Sequence, residues 1–180
     1  MNNFTQTPSQ TVGPFFAYGL TPEQYHYDLK SIIDGNMVSD ATQGDRITIF
    51  GKVIDGQGEP VPDAMIELWQ SDIKAVGRQG TGTHPQNQFI FTTIKPVMTE
   101  SDTAPHISII VFMRGLLVHA YTRLYFSDEA SANAQDAVLQ SVPADRRHTL
   151  IAEKKHVNGQ TIYELDIYMQ GDLETVFFDV

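Results

Sequence analysis

Short apolar stretches, rich in β-branched and aromatic residues, recur along this chain between clusters of Gly, Pro, Asn and Asp. Strands alternate their side chains between two faces, and the intervening clusters are typical of turns. Ile47, Ile49, Gly51 and Val53, for example, share one side of a period-two pattern. This alternation of apolar stretches and turn residues predicts an all-β fold, with strands over residues 46–53, 64–69, 88–94, 107–112, 120–126 and 149–153.

A hairpin is predicted at Asn158-Gly159, which separates the stretches 154–157 and 160–163. Asn-Gly is the strongest short hairpin signal because both residues tolerate the positive φ angles of the favoured turn. In the strand after it, alternation continues along Tyr163, Leu165, Ile167 and Met169. One buried and one mixed face indicate a two-sheet β-sandwich.

Two segments depart from the strand pattern. Residues 128–139 contain four alanines after an acidic start, which favours a short helix. Residues 7–16 have neither a strand nor a helix period, so they form either a disordered tail or an arm that docks on a neighbour. We therefore divide the chain into an N-terminal arm and lead-in segment, 1–45, and a sandwich core, 46–180.

Composition narrows the class of protein. The chain has 180 residues, 41% hydrophobic and 19% charged, which suits one globular domain. It lacks cysteine, so disulfides and thiolate metal sites are excluded. A net charge of −10 with 12 Lys and Arg argues against nucleic acid as a partner. No long apolar run or signal sequence is visible, and we expect a soluble, cytoplasmic protein.

The sequence contains few motifs that are typical of catalysis. A Gly-rich phosphate loop, a paired-His metalloprotease helix and a Gly-x-Ser-x-Gly turn are all missing from the sequence. His106, Ser108 and Arg114 share one strand face, provided that the strand runs straight to residue 114. A lone histidine is more often hydrogen-bonded than metal-ligating. Arg114 either clamps a carboxylate or marks where the strand reaches solvent.

Three further side chains in the predicted strands invite a structural interpretation. Arg123 lies in a strongly apolar strand, which favours a paired structural charge. Trp69 and Phe91 are predicted to lie in the core.

Eight segments of the chain carry a recognisable pattern: TPSQTVGPFF (7–16), VIDG (53–56), PVPDA (60–64), ELWQ (67–70), FIFTTIKP (89–96), APHI (104–107), TRLYF (122–126) and ETVFFD (174–179). Together they resemble the intradiol ring-cleavage dioxygenase family, and the resemblance runs from the arm to the last residues. The last two segments, TRLYF and ETVFFD, are typical of alpha chains of its heteromeric, protocatechuate-cleaving members.

The departures from the family pattern concern its metal. Catalytic members hold non-haem ferric iron with two tyrosines and two histidines. Here the His-x-His position reads His106-Ile107-Ser108, and no tyrosine lies between Tyr27 and Tyr121. The segment 71–77 also looks shorter than its counterparts. One remaining histidine is too few ligands for iron, so no metal is predicted on this chain.

The resemblance implies a non-catalytic alpha subunit that pairs with an iron-bearing beta subunit, as αβ units in a larger assembly. No catalytic residue is expected on this chain. Its arm is implied to contact the partner, and its implied contribution to the substrate pocket is Thr11, Gly13, Pro14, Phe15 and Arg114. The implied reaction is O₂-dependent cleavage of 3,4-dihydroxybenzoate to 3-carboxy-cis,cis-muconate.

Two alternatives stay open at this point. A self-sufficient homomeric catechol dioxygenase would need the full set of iron ligands, which the sequence lacks. A non-enzymatic β-sandwich carrier or carbohydrate-binding module would share only the architecture, since fold does not fix function.

Overall fold

The computed structural model describes residues 13–98 and 103–179, with backbone alone for residues 13–16. Strands dominate this part of the chain. The strands are β1 (Arg46–Ile54), β2 (Met65–Gln70), β3 (Ala75–Gly80), β4 (Gln88–Ile94), β5 (His106–Phe112), β6 (Ala120–Phe126), β7 (Ile151–Val157), β8 (Gln160–Glu164) and β9 (Ile167–Tyr168), and the α-helices are α1 (Gly13–Leu20), α2 (Ala130–Asn133) and α3 (Ala137–Ser141).

The strands form one nearly closed sheet in the order β3-β2-β5-β6-β7-β8-β1-β4, and β9 pairs with β1. Strands β3, β2, β5 and β6 are antiparallel neighbours and make one layer. Strands β7, β8, β1 and β4 make the other, and the layers join through a short parallel pairing of β6 with β7. The predicted all-β, two-layer architecture is confirmed.

The core lies between these two layers. Ile66, Leu68, Ile107 and Ile109 enter it from one layer, and Ile47, Ile49, Phe89 and Phe91 enter from the other. This is the period-two burial that the sequence predicts. The predicted core position of Phe91 is confirmed. A second, smaller core lies beside Tyr125 and includes Ala104, Leu139, Val142 and Leu150.

The hairpin at Asn158-Gly159 is confirmed. The φ angles of Asn158 and Gly159 are 50° and 78°, which are the two positive values of the favoured hairpin turn. Val157 pairs with Gln160 across it.

The alternation after this hairpin spans two strands instead of one. Strand β8 ends at Glu164, and β9 then pairs with a later part of β1. Between these two strands the Lys52 amide donates to the Asp166 carboxylate at 2.8 Å, so a side-chain oxygen accepts this amide instead of a backbone carbonyl. The backbone at Leu165 passes directly over Gly51, and a Cβ added at Gly51 would lie 1.8 Å from the Leu165 carbonyl oxygen. A glycine is therefore required at this crossing.

Three local predictions need correction. Strand β3 was not predicted; it begins inside the segment 71–77, which looks shorter than its family counterparts, and ends at Gly80. The predicted helix over 128–139 is two helices, α2 and α3, because the Asp136 side chain caps a new start by accepting the Leu139 amide. Residues 13–20, where no helix period was visible, form α1.

The prediction for Trp69 is wrong, since this residue is 48% exposed. Ile66 and Leu68 take the core side of β2, and Trp69 shares the opposite side with Glu67. Its indole N–H donates to Glu67, which also forms an ion pair with Arg78. Within the described residues no helix is long and apolar enough to cross a membrane.

Candidate functional site

Arg114 lies past the end of β5, so the straight strand that would align it with His106 is not present. Strand β5 ends at Phe112, and Gly115 turns the chain with a φ of 89°. The Arg114 side chain is 62% exposed, and its Nε lies 2.5 Å from Oδ2 of Asp63. Arg114 is therefore a surface cation with a carboxylate partner.

Asp63 is far less accessible than its partner, since its side chain is 16% exposed. Its second oxygen, Oδ1, is buried and has no hydrogen-bond partner within the described residues. Four other buried polar atoms among the described residues share that property, and two of them are Nε2 of Gln24 and the hydroxyl of Tyr25. Burial is the largest influence on Tyr25 and raises its pKa, the neighbouring Gln24 side chain acts next and lowers it, and the charges of Asp63 and Arg114 act in opposite directions.

Helix α1 reaches the same part of the molecule through an aromatic contact. The rings of Tyr18 and Tyr25 meet edge to face with centroids 4.5 Å apart. Tyr25 ends the 3₁₀ turn Pro22–Tyr25, which follows α1 directly. We call Tyr18, Gln24, Tyr25, Asp63 and Arg114 the polar corner.

Gly13, Pro14 and Phe15 of the predicted site lie at the start of α1. Arg114 pairs with Asp63, and the charges of both act on Tyr25, whose ring contacts Tyr18 of α1. Thr11 lies outside the described residues.

Asp63, Gln24 and Tyr25 were missed as site residues. Asp63 lies in the family-like segment PVPDA. The local sequence of a turn does not determine which distant cation pairs with a carboxylate in that turn. Gln24 and Tyr25 lie in the lead-in segment, where the sequence has no usable period.

The region of His106 does not fit the iron of the intradiol family. Nδ1 of His106 lies 2.8 Å from the Ala104 carbonyl oxygen, and burial lowers the pKa of His106. Both oxygens of nearby Asp72 accept backbone amides, from Ile73 and Val97. Ser108 provides only a hydroxyl at the second position.

The nearest buried phenols are also occupied. The Tyr125 hydroxyl donates to Asp136 at 3.0 Å, and the Tyr163 hydroxyl donates to Asp128 at 3.0 Å. In residues 13–98 and 103–179 no group of three or more His, Cys, Asp or Glu is placed to hold a metal ion. The side chains that are present do not make a two-tyrosine, two-histidine set.

The interpretation of Arg123 as a member of an ion pair is wrong for the part of the chain that the structure describes. Its Nη1 donates to the Tyr125 hydroxyl at 3.3 Å, and its guanidinium lies 6.0 Å from the centroid of the Phe178 ring. Arg123 is stabilised by aromatic groups rather than by a carboxylate within ion-pair distance.

An exposed apolar loop follows Arg114. Leu117 is 64% exposed and Val118 is 72% exposed. The loop lines an open depression of about 730 Å³ together with Phe177 and Phe178. These two phenylalanines are half-buried against the chain's own cores, so the C-terminal run exposes less apolar surface than its sequence suggests.

Comparison with known proteins places this geometry in a family. A sequence model described as "Dioxygenase" matches residues 25–111. The chain is 47% identical to a protocatechuate 3,4-dioxygenase alpha chain of Burkholderia cepacia, with all of both chains covered. It is 28% identical to a protocatechuate 3,4-dioxygenase beta chain of the same organism, over 71% of this chain and 66% of that one.

A solved structure agrees on the fold. The dioxygenase domain of a dioxygenase and carbohydrate-binding fusion from Streptomyces sp. SirexAA-E superimposes with a TM-score of 0.63 at 21% identity. The match covers 96% of this chain and all of that one, which supports the all-β architecture alone.

Proposed function

Because the chain belongs to the family of protocatechuate 3,4-dioxygenase alpha chains, which are intradiol dioxygenase subunits, we propose that it works as a subunit without iron of its own. Its partner is a beta chain that carries the ferric iron. Together they cleave 3,4-dihydroxybenzoate between its two hydroxyl-bearing carbons. Both atoms of O₂ enter the product, 3-carboxy-cis,cis-muconate.

The observation that carries the proposal is the state of the His106 region in a chain with 47% identity to an alpha chain. His106 is bonded to a backbone carbonyl, and Ser108 stands two residues later where an imidazole would be needed. Three or four protein ligands are needed to fix such a metal. Iron chemistry therefore has to come from the partner, and this chain contributes shape and charge.

The polar corner supports a role at the mouth of the partner's site. Residues Gly13, Pro14 and Phe15 of α1, with Thr11 before them, form one wall of the substrate pocket, and Arg114 faces the substrate carboxylate. A guanidinium offers a planar set of donors that matches a carboxylate. The exposed loop with Leu117 and Val118 is adjacent in sequence to Arg114, so contact there would also cover apolar surface.

The self-sufficient catechol dioxygenase remains a chemical alternative, but the occupied His106 and phenol groups give it no ligand set. The non-enzymatic carrier is disfavoured, since the likeness to an alpha chain extends over the whole sequence and not over the architecture alone.

Metal analysis of the purified chain, with and without a co-expressed beta chain, tests the proposal. We expect no stoichiometric iron and no ring cleavage from this chain alone. The complex should contain iron and convert 3,4-dihydroxybenzoate. A full equivalent of tightly bound iron on the isolated chain, or equal activity with and without the beta chain, would contradict the assignment.

A further inference from the structure

Asp63 and Arg114 form an ion pair through one nitrogen of the guanidinium. Asp63 meets the guanidinium at Nε, at 2.5 Å. A guanidinium has five N–H donors, and one belongs to Nε. A carboxylate on the Nε side leaves N–H groups of both terminal nitrogens available. Of the residues that the structure describes, Asp63 is the one whose carboxylate lies within ion-pair distance of Arg114.

Asp63 is held by a rigid frame. On one side of it, the Thr81 hydroxyl donates to the Val61 carbonyl at 2.7 Å. On the other side, the Ala64 amide donates to the same hydroxyl at 3.1 Å, and the Thr81 amide donates to the Ala64 carbonyl. Thr81 is fully buried. The backbone that carries Asp63 is therefore fixed from both sides.

Arg114 has no comparable frame. It lies in an exposed turn, next to Gly115 with its positive φ, and most of its side chain is in solvent. A free arginine side chain of this kind samples many rotamers, and ordering it costs conformational entropy. Whatever orients this guanidinium must come from a neighbour that is itself fixed.

We propose that Asp63 is the positioning residue for Arg114, and that it turns the terminal nitrogens of the guanidinium toward the substrate carboxylate. This inference rests on the proposed function. Asp63 does not touch substrate. It acts by reducing the number of orientations that Arg114 samples before substrate arrives, which is a preorganisation effect.

The pairing also changes how Arg114 recognises an anion. Because Asp63 offsets much of its charge, the guanidinium exerts little long-range attraction, and recognition depends on short hydrogen bonds. A purely structural Asp63 would behave differently, since its loss would affect every substrate alike. The carboxylated and uncharged substrates therefore distinguish the two roles.

The test uses the iron-loaded complex with a beta chain and two substrates, 3,4-dihydroxybenzoate and catechol. The variants are Arg114→Ala, Asp63→Asn and the double variant. Asp40→Asn is the control, because it removes the same charge from an exposed position. The readout is the ratio of kcat/KM for the two substrates, together with iron content and assembly.

We expect Arg114→Ala to lower this ratio by about tenfold or more, as the loss of a charge-assisted hydrogen bond implies. Asp63→Asn should lower it by part of that amount, mainly through KM for 3,4-dihydroxybenzoate. In the Arg114→Ala background, Asp63→Asn should change the ratio no further. Asp40→Asn should leave it at the wild-type value.

Distinct outcomes would overturn distinct claims. Equal losses on both substrates, or a further fall of the ratio in the double variant, would reject the positioning role while leaving the alpha-subunit assignment intact. A ratio unchanged by Arg114→Ala would remove both Arg114 and Asp63 from substrate recognition. If Asp63→Asn does not assemble, Asp63→Glu keeps the charge but displaces it by one methylene, and the same substrate-selective fall is expected.

Discussion

Two polar clusters of this protein differ in how completely their atoms are paired. In the first, Asp128 accepts from Lys95 at 2.9 Å, from Lys154 at 2.8 Å and from the Tyr163 hydroxyl at 3.0 Å. We call these four residues the Asp128 cluster. In the polar corner, by contrast, Oδ1 of Asp63, Nε2 of Gln24 and the Tyr25 hydroxyl are buried and meet no hydrogen-bond partner among the residues that the structure describes.

The Asp128 cluster is paired within the chain, whereas under the proposed function the polar corner faces the partner's substrate pocket. Burial is the largest single influence on Asp128 and acts to raise its pKa, but the hydrogen bonds from Lys154, Lys95 and Tyr163 together hold the pKa well below its usual range. A fully paired network contributes to stability. Buried polar atoms without partners cost stability, and the described residues include two more outside the polar corner, Oδ1 of Asn133 and Nε of Arg146.

Asp128→Ala is expected to have the largest effect on stability. It removes the common partner of Lys95 and Lys154 and leaves the Tyr163 hydroxyl without an acceptor. We expect a loss of about 2–3 kcal/mol, which thermal unfolding of the complex followed by circular dichroism would detect as a lower Tm. Asp172→Ala, at an exposed turn, is the control and should leave Tm nearly unchanged. A similar Tm for both variants would mean that the Asp128 cluster adds nothing.

Replacement of Arg114 by Ala should lower catalytic efficiency and leave the stability of the fold unchanged. If the guanidinium makes a desolvated hydrogen bond to the substrate, kcat/KM for 3,4-dihydroxybenzoate should fall. The fall should correspond to a loss of about 1.5–3 kcal/mol of transition-state stabilisation. A solvent-screened contact would be worth less than about 1 kcal/mol. Steady-state kinetics on the complex measure this, and unchanged Tm and iron content are the control.

Acid should weaken the Asp128 cluster selectively. A carboxyl whose pKa is lower in the folded than in the unfolded state stabilises the fold fully above the unfolded pKa, near 4, and progressively less as pH falls toward the folded pKa. We expect Tm of the wild type to fall below about pH 4, and the fall to be shallower for Asp128→Asn. Parallel Tm curves for the two proteins would assign the acid sensitivity to other carboxyl groups.

A matched pair of tyrosine substitutions gives the smallest and most direct comparison. Tyr163→Phe removes a hydroxyl bonded to Asp128 and should cost about 1 kcal/mol. Tyr25→Phe removes a buried hydroxyl that meets no partner with hydrogen-bond geometry among the described residues, although the Gln24 side chain acts on its pKa. It should therefore cost under about 0.5 kcal/mol or be slightly stabilising. Chemical denaturation of the two variants side by side gives the ranking. A larger loss for Tyr25→Phe would show that its hydroxyl is paired in solution.

Most of the strand positions could be predicted from the sequence because they depend on local alternation. Strands β4 and β6 match the predicted ranges 88–94 and 120–126, and the Asn158-Gly159 turn needs only the φ preferences of its own two residues. Strand β3 was missed because its residues, AVGRQG, have neither a clear alternation nor many β-branched side chains. It becomes a strand by pairing with β2.

The candidate site was predictable only in part. Arg114 and the Gly13-Pro14-Phe15 segment were selected from the family resemblance, and their role stays a prediction. Asp63 could not be found in this way. An ion pair between two turns depends on where β2 and β5 place their ends, and that is decided by the pairing of Met65 with Phe112.

The amino-acid sequence by itself determined the all-β class, the hairpin and the shortage of iron ligands, because each depends on the residue types present and on their local order. The tertiary structure alone decided that Trp69 is exposed, that Arg123 meets the Tyr125 hydroxyl and the Phe178 ring, and that Asp63 forms an ion pair with Arg114. Periodicity tells which face of a strand a side chain occupies. What covers that face depends on distant segments, and only the folded chain brings those together.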